Sequence, residues 1–397
     1  MKLIERKMYL NKLLNVKGTP DIKVITGIRR SGKSKLLESF IEYIKLTEEN
    51  YNIIYIDFTK LKYENLKEYH ELNNFIEKSY EKNKTNYLFI DEVQLCPQFE
   101  LTINSIHSTG NYDIYITGSN AFLLSSDLAT LFTGRTFEIE IYPFSLKEFM
   151  EYYNEMQLHE AFDKYVFDGG MAGAYVYNTK EERYKYINEV YETLVIRDIK
   201  QKYKIRNIQL MDKTAEFLMD NISNLSSARN IANALTSNKN SVNHKTISKY
   251  MEYLCNAFAF YKVRRYDIQG KKYLTAQEKY YLSDHSFRFA KLGTKNLNYG
   301  RVYENIVATE LMRRGYEIYV GTLYKKEIDF VAIKQSEKIY IQVSDDISSE
   351  QTFKREVEPL LKIKDGYTKM IIANTKHDMY QYEGIKIVDI ASWLVQE

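Results

Sequence analysis

The stretch Gly27-Ile28-Arg29-Arg30-Ser31-Gly32-Lys33-Ser34 meets G-x-x-x-x-G-K-[ST] at every fixed position, the pattern of a loop that cradles phosphates. Its surroundings agree. Lys23-Val24-Ile25-Thr26 reads as a short buried strand entering the loop, and Leu36, Leu37, Phe40, Ile41 and Ile44 recur at helical spacing after it. A strand, a glycine-bearing loop and a helix N-terminus together aim backbone N–H groups and a positive dipole end at an anion. In that arrangement Lys33 reaches the β- and γ-phosphates and the Ser34 hydroxyl sits on Mg²⁺. The backbone of Gly27, Ile28, Arg29, Arg30, Ser31 and Gly32 completes the cradle. The expected ligand is ATP with Mg²⁺.

Working outward, Asn52-Ile53-Ile54-Tyr55-Ile56-Asp57-Phe58 is a second apolar strand, and the polar residues 60–85 are largely helical in period. Tyr87-Leu88-Phe89-Ile90-Asp91-Glu92 ends four apolar residues in two carboxylates, as a Walker B strand does. Asp91 would hold Mg²⁺ through water, and Glu92 would polarise the water that attacks the γ-phosphate. A fourth strand, Asp113-Ile114-Tyr115-Ile116-Thr117, runs into Gly118-Ser119-Asn120. Thr117 or Asn120 would orient that water; an ordinary turn and N-cap explains the same residues equally well. Gly134-Arg135 then precedes a fifth strand, Thr136-Phe137-Glu138-Ile139-Glu140-Ile141. Arg135 is open to three readings: an arginine finger for a neighbouring subunit, a contact with its own phosphate, or a surface salt bridge.

At 397 residues the chain is long for one domain. Its net charge of +3 demands no nucleic-acid partner. The 36 tyrosines, beside abundant Lys, Asn and Ile, fit a biased genome better than a stacking surface. Cys96 and Cys255 lie far apart without a C-x-x-C or clustered His, so neither a disulfide framework nor a zinc site is expected. Met1-Lys2-Leu3-Ile4-Glu5-Arg6 lacks an apolar core of signal-peptide length, and no apolar run approaches a membrane span. A soluble cytoplasmic protein with no membrane partner is the expectation.

Taken in order, Thr26 to Ser34, Phe89-Ile90-Asp91-Glu92-Val93-Gln94, Ile116-Thr117-Gly118-Ser119-Asn120, Phe132-Thr133-Gly134-Arg135 and Ile141-Tyr142-Pro143-Phe144-Ser145-Leu146-Lys147-Glu148-Phe149 carry a family resemblance. Asp168-Gly169-Gly170-Met171-Ala172 and Thr193-Leu194-Val195-Ile196-Arg197-Asp198 add to it. The chain resembles the prokaryotic AAA-type ATPases that carry a DUF4143 C-terminal region. That resemblance implies an α/β P-loop NTPase core, a helical lid, a winged-helix domain and a C-terminal restriction-endonuclease-like α/β domain. The matching spans are 1–150 for the core, 151–205 for the lid, 206–292 for the winged helix and 293–397 for the nuclease-like end.

Residues 151–205 have helical spacing with Gly169-Gly170 as a bend. In 206–292, Leu210 to Met219 suggests a helix, Ser226 to Leu235 a second with a Ser cap, and Asn243 to Tyr250 opens a third. His244, Lys245 and Lys249 would face a major groove if the module binds DNA; protein packing is the competing use. Tyr261 to Tyr266 and Lys279 to Ser283 would form wing strands. In the last part, Glu304 on a helix and Asp329 on a strand are candidate Mg²⁺ ligands. The following strand offers Gln342-x-Ser344 where an active nuclease places an acid and a lysine, with Asp345 and Asp346 just beyond. A binding frame that no longer cuts is therefore expected. The leading function is an ATP-binding and ATP-hydrolysing switch whose C-terminal modules bind a protein or nucleic-acid partner, with homo-oligomers open. The competing one is an ATP-regulated nuclease in defence or DNA processing.

Overall fold

The computed structural model describes residues 4–118, 130, 132, 134–154, 156–236, 241–324 and 326–396. The chain divides after Ile141 into two compact units, where the sequence suggested a boundary at 150.

The first unit is built on five strands: β1 (Ile22–Thr26), β2 (Tyr51–Asp57), β3 (Thr85–Asp91), β4 (Tyr112–Thr117) and β5 (Thr136–Glu140). They pair in parallel in the order β2-β3-β4-β1-β5. A parallel sheet covered on both faces needs near-continuous apolar strands, and every residue of β1 is buried. Its one charge, Lys23, is fully buried, and its ammonium lies 2.6 Å from Asp113 Oδ1 on β4 and 2.5 Å from the Thr19 carbonyl. The helix Lys33–Thr47 turns Leu36, Leu37, Phe40, Ile41 and Ile44 inward, the stripe that its spacing predicts. After β1 the chain crosses to β2, returns through β3 and β4, and then passes to the far side of β1 to form β5. The carboxyl end of β1 is thus a topological switch point, where α/β sheets open a ligand crevice.

The second unit begins with the helices Leu146–Tyr153, opened by a Ser145/Glu148 capping box, and Leu158–Asp168. Gly169-Gly170 then turns the chain so tightly that side chains are excluded. A Cβ on Gly169 would stand 2.2 Å from Asp284 Oδ1, and one on Gly170 would stand 2.4 Å from the Phe144 carbonyl. The helix Lys180–Glu192 runs on through a π-helical stretch, Thr193–Ile199. Helices Ile208–Asp220, Ala228–Leu235 and His244–Asn256 follow, each capped by the side chain of Asn207, Ser227 or Asn243.

The remaining strands are β6 (Phe260–Asp267), β7 (Lys272–Leu282), β8 (Glu317–Leu323), β9 (Lys326–Lys334), β10 (Glu337–Ser344), β11 (Thr368–Ala373), β12 (Tyr380–Tyr382) and β13 (Ile385–Asp389). They form one mixed sheet in the order β12-β13-β11-β10-β9-β8-β6-β7. The hairpin β6–β7, expected as a wing, pairs in parallel with β8 through Arg265↔Val320 and Tyr266↔Gly321. The sheet therefore runs across the expected division at 292/293, because an edge strand with free N–H and C=O groups is a template for the next. Among the described residues no helix is long and apolar enough to cross a membrane.

Candidate nucleotide site

The loop after β1 passes so close to Ile141 that a Cβ on Gly27 would stand 2.2 Å from its carbonyl oxygen, and Gly27 has φ of +125°. Only glycine combines that approach with that backbone angle. Arg30 at φ +63° and Gly32 at φ +98° bend the chain again, and the helix starts at Lys33. A helix N-terminus offers N–H groups that its own turns do not use, which suits this position to an anion. Lys33 is buried, and its ammonium donates to the carbonyls of Gly27 at 2.9 Å and Ile28 at 3.0 Å. Ile28 is buried, Arg29 half-buried and Arg30 exposed. The Ser31 hydroxyl is buried with no hydrogen-bond partner among the described residues, as a donor aimed at a phosphate would be.

Asp91 ends β3 and Thr117 ends β4, the strand that lies between β3 and β1. Burial pushes the Asp91 carboxyl up, while hydrogen bonds from Ser34 and Thr117 pull it back. The Thr117 hydroxyl donates to Asp91 Oδ1 and accepts the Glu92 N–H at 3.1 Å. Glu92 itself has φ +54°, a left-handed backbone region that non-glycine residues occupy at a cost. Its carboxylate accepts from Gln94 Nε2. The Ser34 hydroxyl beside the Asp91 carboxylate is a hard-oxygen pair of the kind Mg²⁺ takes, so the residues fit the cation. Of the two sensor candidates, Thr117 meets the Asp91 carboxylate and the Glu92 backbone N–H; Asn120 lies outside the described residues.

Arg135 is not brought to this cluster. Its carbonyl accepts the Ile22 N–H at 2.9 Å, so it stands at the amino end of the parallel strands, and its side chain is exposed. The loop leaves β1 at the opposite end. The Arg135 backbone therefore stands at the end of β1 away from the phosphate loop. Sequence reading missed Arg6, which is buried, donates to the Ser31 carbonyl at 2.8 Å and lies 4.5 Å over the Tyr9 ring. It braces the phosphate loop from an element 25 residues earlier, and no motif marks it.

In the second unit Glu304 and Asp329 do come together, around an ammonium that spacing did not reveal, that of Lys279 on β7. Gln342 accepts the Asp329 N–H at 2.7 Å. Ser344 turns away and donates to the Asp346 carbonyl at 3.0 Å. The Asp346 carboxylate caps Ser348, and both Asp345 and Asp346 are exposed, so neither replaces the missing acid. Among the described residues no group of three or more His, Cys, Asp or Glu is arranged to hold a metal ion.

Residues 19–150 match the family model described as an AAA domain, and residues 159–298 match a domain of unknown function, DUF8612. The second match corrects the DUF4143 expectation. The motifs behind that expectation lie mostly in the phosphate-binding part, where chemistry dictates residues at fixed spacing. The later helices obey only an apolar period that many sequences satisfy. The first unit is a P-loop NTPase-like α/β core. An uncharacterized protein of Haemophilus influenzae is 38% identical over 405 residues, covering 99% of each chain. Uncharacterized protein MJ1544 of Methanocaldococcus jannaschii is 27% identical over 407 residues, covering 98% of this chain and 89% of that one. Among solved structures, a replication initiator DnaA bound to AMPPCP and single-stranded DNA is 15% identical, covering 64% of this chain and 89% of that one, with a TM-score of 0.32. PCH-2 of C. elegans is 14% identical, covering 41% and 49%, with a TM-score of 0.26. Both superpositions are loose.

Proposed function

This chain belongs to the family of the 38% identical Haemophilus influenzae protein, and for it we propose an ATP-hydrolysing switch whose second unit recognises a partner. The observation that carries the reading is the hydrogen-bonded run Ser34–Asp91–Thr117–Glu92 at the carboxyl ends of β3 and β4, beside the phosphate loop. Lys33 exchanges its two loop carbonyls for phosphate oxygens. Mg²⁺ held at Ser34 and Asp91 would neutralise charge on those oxygens. Glu92 accepts the proton of the attacking water, and Thr117 ties the Asp91 carboxylate to the Glu92 backbone. Arg6 holds the loop through the Ser31 carbonyl. ATP binding, followed by the fluorescence anisotropy of a labelled analogue, is expected in the wild-type chain and abolished in Lys33→Ala. Equal affinity in the two would end the proposal.

For the partner, the three helices between 208 and 256 with the β6–β7 hairpin are read as a winged-helix-like face. His244, Lys245 and Lys249 are exposed at the start of the helix His244–Asn256. A nucleic-acid partner would meet this face mainly through its phosphates. Lys245→Ala and Lys249→Ala are then each expected to lower the salt dependence of binding by about one unit, and to weaken all sequences alike. Binding that survives both changes would give the face to a protein partner. Nuclease chemistry is not part of the proposal.

A further inference from the structure

Three carboxylates from two elements converge on one ammonium. Lys279 Nζ on β7 lies 2.8 Å from Glu304 Oε1, 2.8 Å from Glu327 Oε1 and 3.6 Å from Asp329 Oδ1, with its side chain 3% exposed. Glu304 comes from the helix Tyr299–Arg313, and Glu327 and Asp329 come from β9. Carboxylates so arranged on a helix and a strand are what a nuclease would offer to divalent cations. The residues here do not fit that role.

We propose that the Lys279 ammonium is a tethered substitute for that cation, closing the nuclease-like centre to divalent metals and making it a fixed ion-pair joint between β7, β9 and the helix Tyr299–Arg313. An ammonium carries three donors and suits three carboxylates, whereas Mg²⁺ or Mn²⁺ demands about six oxygen ligands. Two of the cluster's oxygens also carry hydrogen bonds that hold the carboxylates in place around the ammonium. Glu304 Oε1 also accepts the Tyr281 hydroxyl at 2.7 Å, and Asp329 Oδ2 accepts the Val343 N–H at 2.8 Å. Gln342 is used at both ends: its carbonyl takes the Asp329 N–H at 2.7 Å, and its amide donates to Glu356 Oε2 at 3.0 Å. Burial alone would lower the affinity of Lys279 for its proton, but Glu304, Asp329 and Glu327 outweigh it and keep the group charged beyond the usual lysine range. Burial pushes the Glu304 carboxyl up, and the adjacent ammonium opposes that rise. The lysine that β10 lacks at Ser344 is thus present in the centre, supplied from the hairpin, and it is spent on the carboxylates.

The test is Mn²⁺ titration of the nucleotide-free, full-length chain by calorimetry. Wild type and Asp329→Asn, a near-isosteric change, are expected to give the same heats, with no Mn²⁺ bound at this cluster. Lys279→Met is expected to gain one Mn²⁺ per chain, with a melting temperature that Mn²⁺ raises, and to lose both on addition of Asp329→Asn. Should Lys279→Met not fold, Lys279→Gln, which removes the charge but keeps a hydrogen-bond donor and all three carboxylates, carries the same comparison. A Mn²⁺ site in the wild type that Asp329→Asn abolishes would overturn the proposal. So would the failure of every folded Lys279 variant to gain metal.

Discussion

Arg135→Ala is expected to retain ATP and to lose about 10³-fold in turnover, the scale of an arginine finger supplied from a neighbouring chain. The direction of the effect follows from strand register. β5 pairs with β1 in parallel through Ile22↔Thr136, and the Ile22 N–H bonds the Arg135 carbonyl. Arg135 therefore sits where β1 begins, and the phosphate loop sits where β1 ends. The five residues of β1 separate the two by roughly 13 Å at about 3.3 Å per residue, with the exposed guanidinium at the wrong end for its own nucleotide. A finger role for Arg135 would then be played toward the nucleotide of a second copy. Mixing Arg135→Ala with Lys33→Ala chains, each inactive alone, is then expected to restore turnover. The mixed site pairs an intact loop from the first with an intact arginine from the second. Full turnover by Arg135→Ala alone, or no recovery on mixing, would return this residue to the surface.

Glu92→Gln is expected to hold ATP at wild-type affinity and to hydrolyse it about 10²-fold more slowly, the usual worth of a positioned general base. The amide keeps the length of the side chain, and the backbone N–H still bonds Thr117 Oγ1, so the φ +54° turn survives. What is lost is the acceptor for the proton of water. Asp91 cannot take over, since its carboxyl is engaged with Ser34 and Thr117. Single-turnover measurements on saturated enzyme separate this loss from slower product release. An unchanged chemical step would remove Glu92 from its role and leave the strained turn without a function.

What the sequence determined alone is what depends on neighbours along the chain. A loop that wraps phosphates needs Gly27, Gly32, Lys33 and Ser34 at one spacing because its own backbone makes the cradle. β1 and β3 announce themselves as apolar runs, and the helix Lys33–Thr47 as an apolar stripe, because each buries a face with a fixed period. Tertiary structure decided the rest, and in each case through partners far apart in the chain. Thr117 is distinguished from an ordinary strand end only because β4 lies beside β3, 26 residues from Asp91. Arg6 reaches the loop, and Arg135 is carried away from it, by helix packing and strand register that no local spacing encodes. Lys279 reads as an ordinary charge on a hairpin strand until β6 pairs with β8 and brings β7 within reach of Glu304. Its fate as a buried cation is set by three carboxylates from elsewhere, since a charge can leave water only where the folded chain supplies its counter-charges.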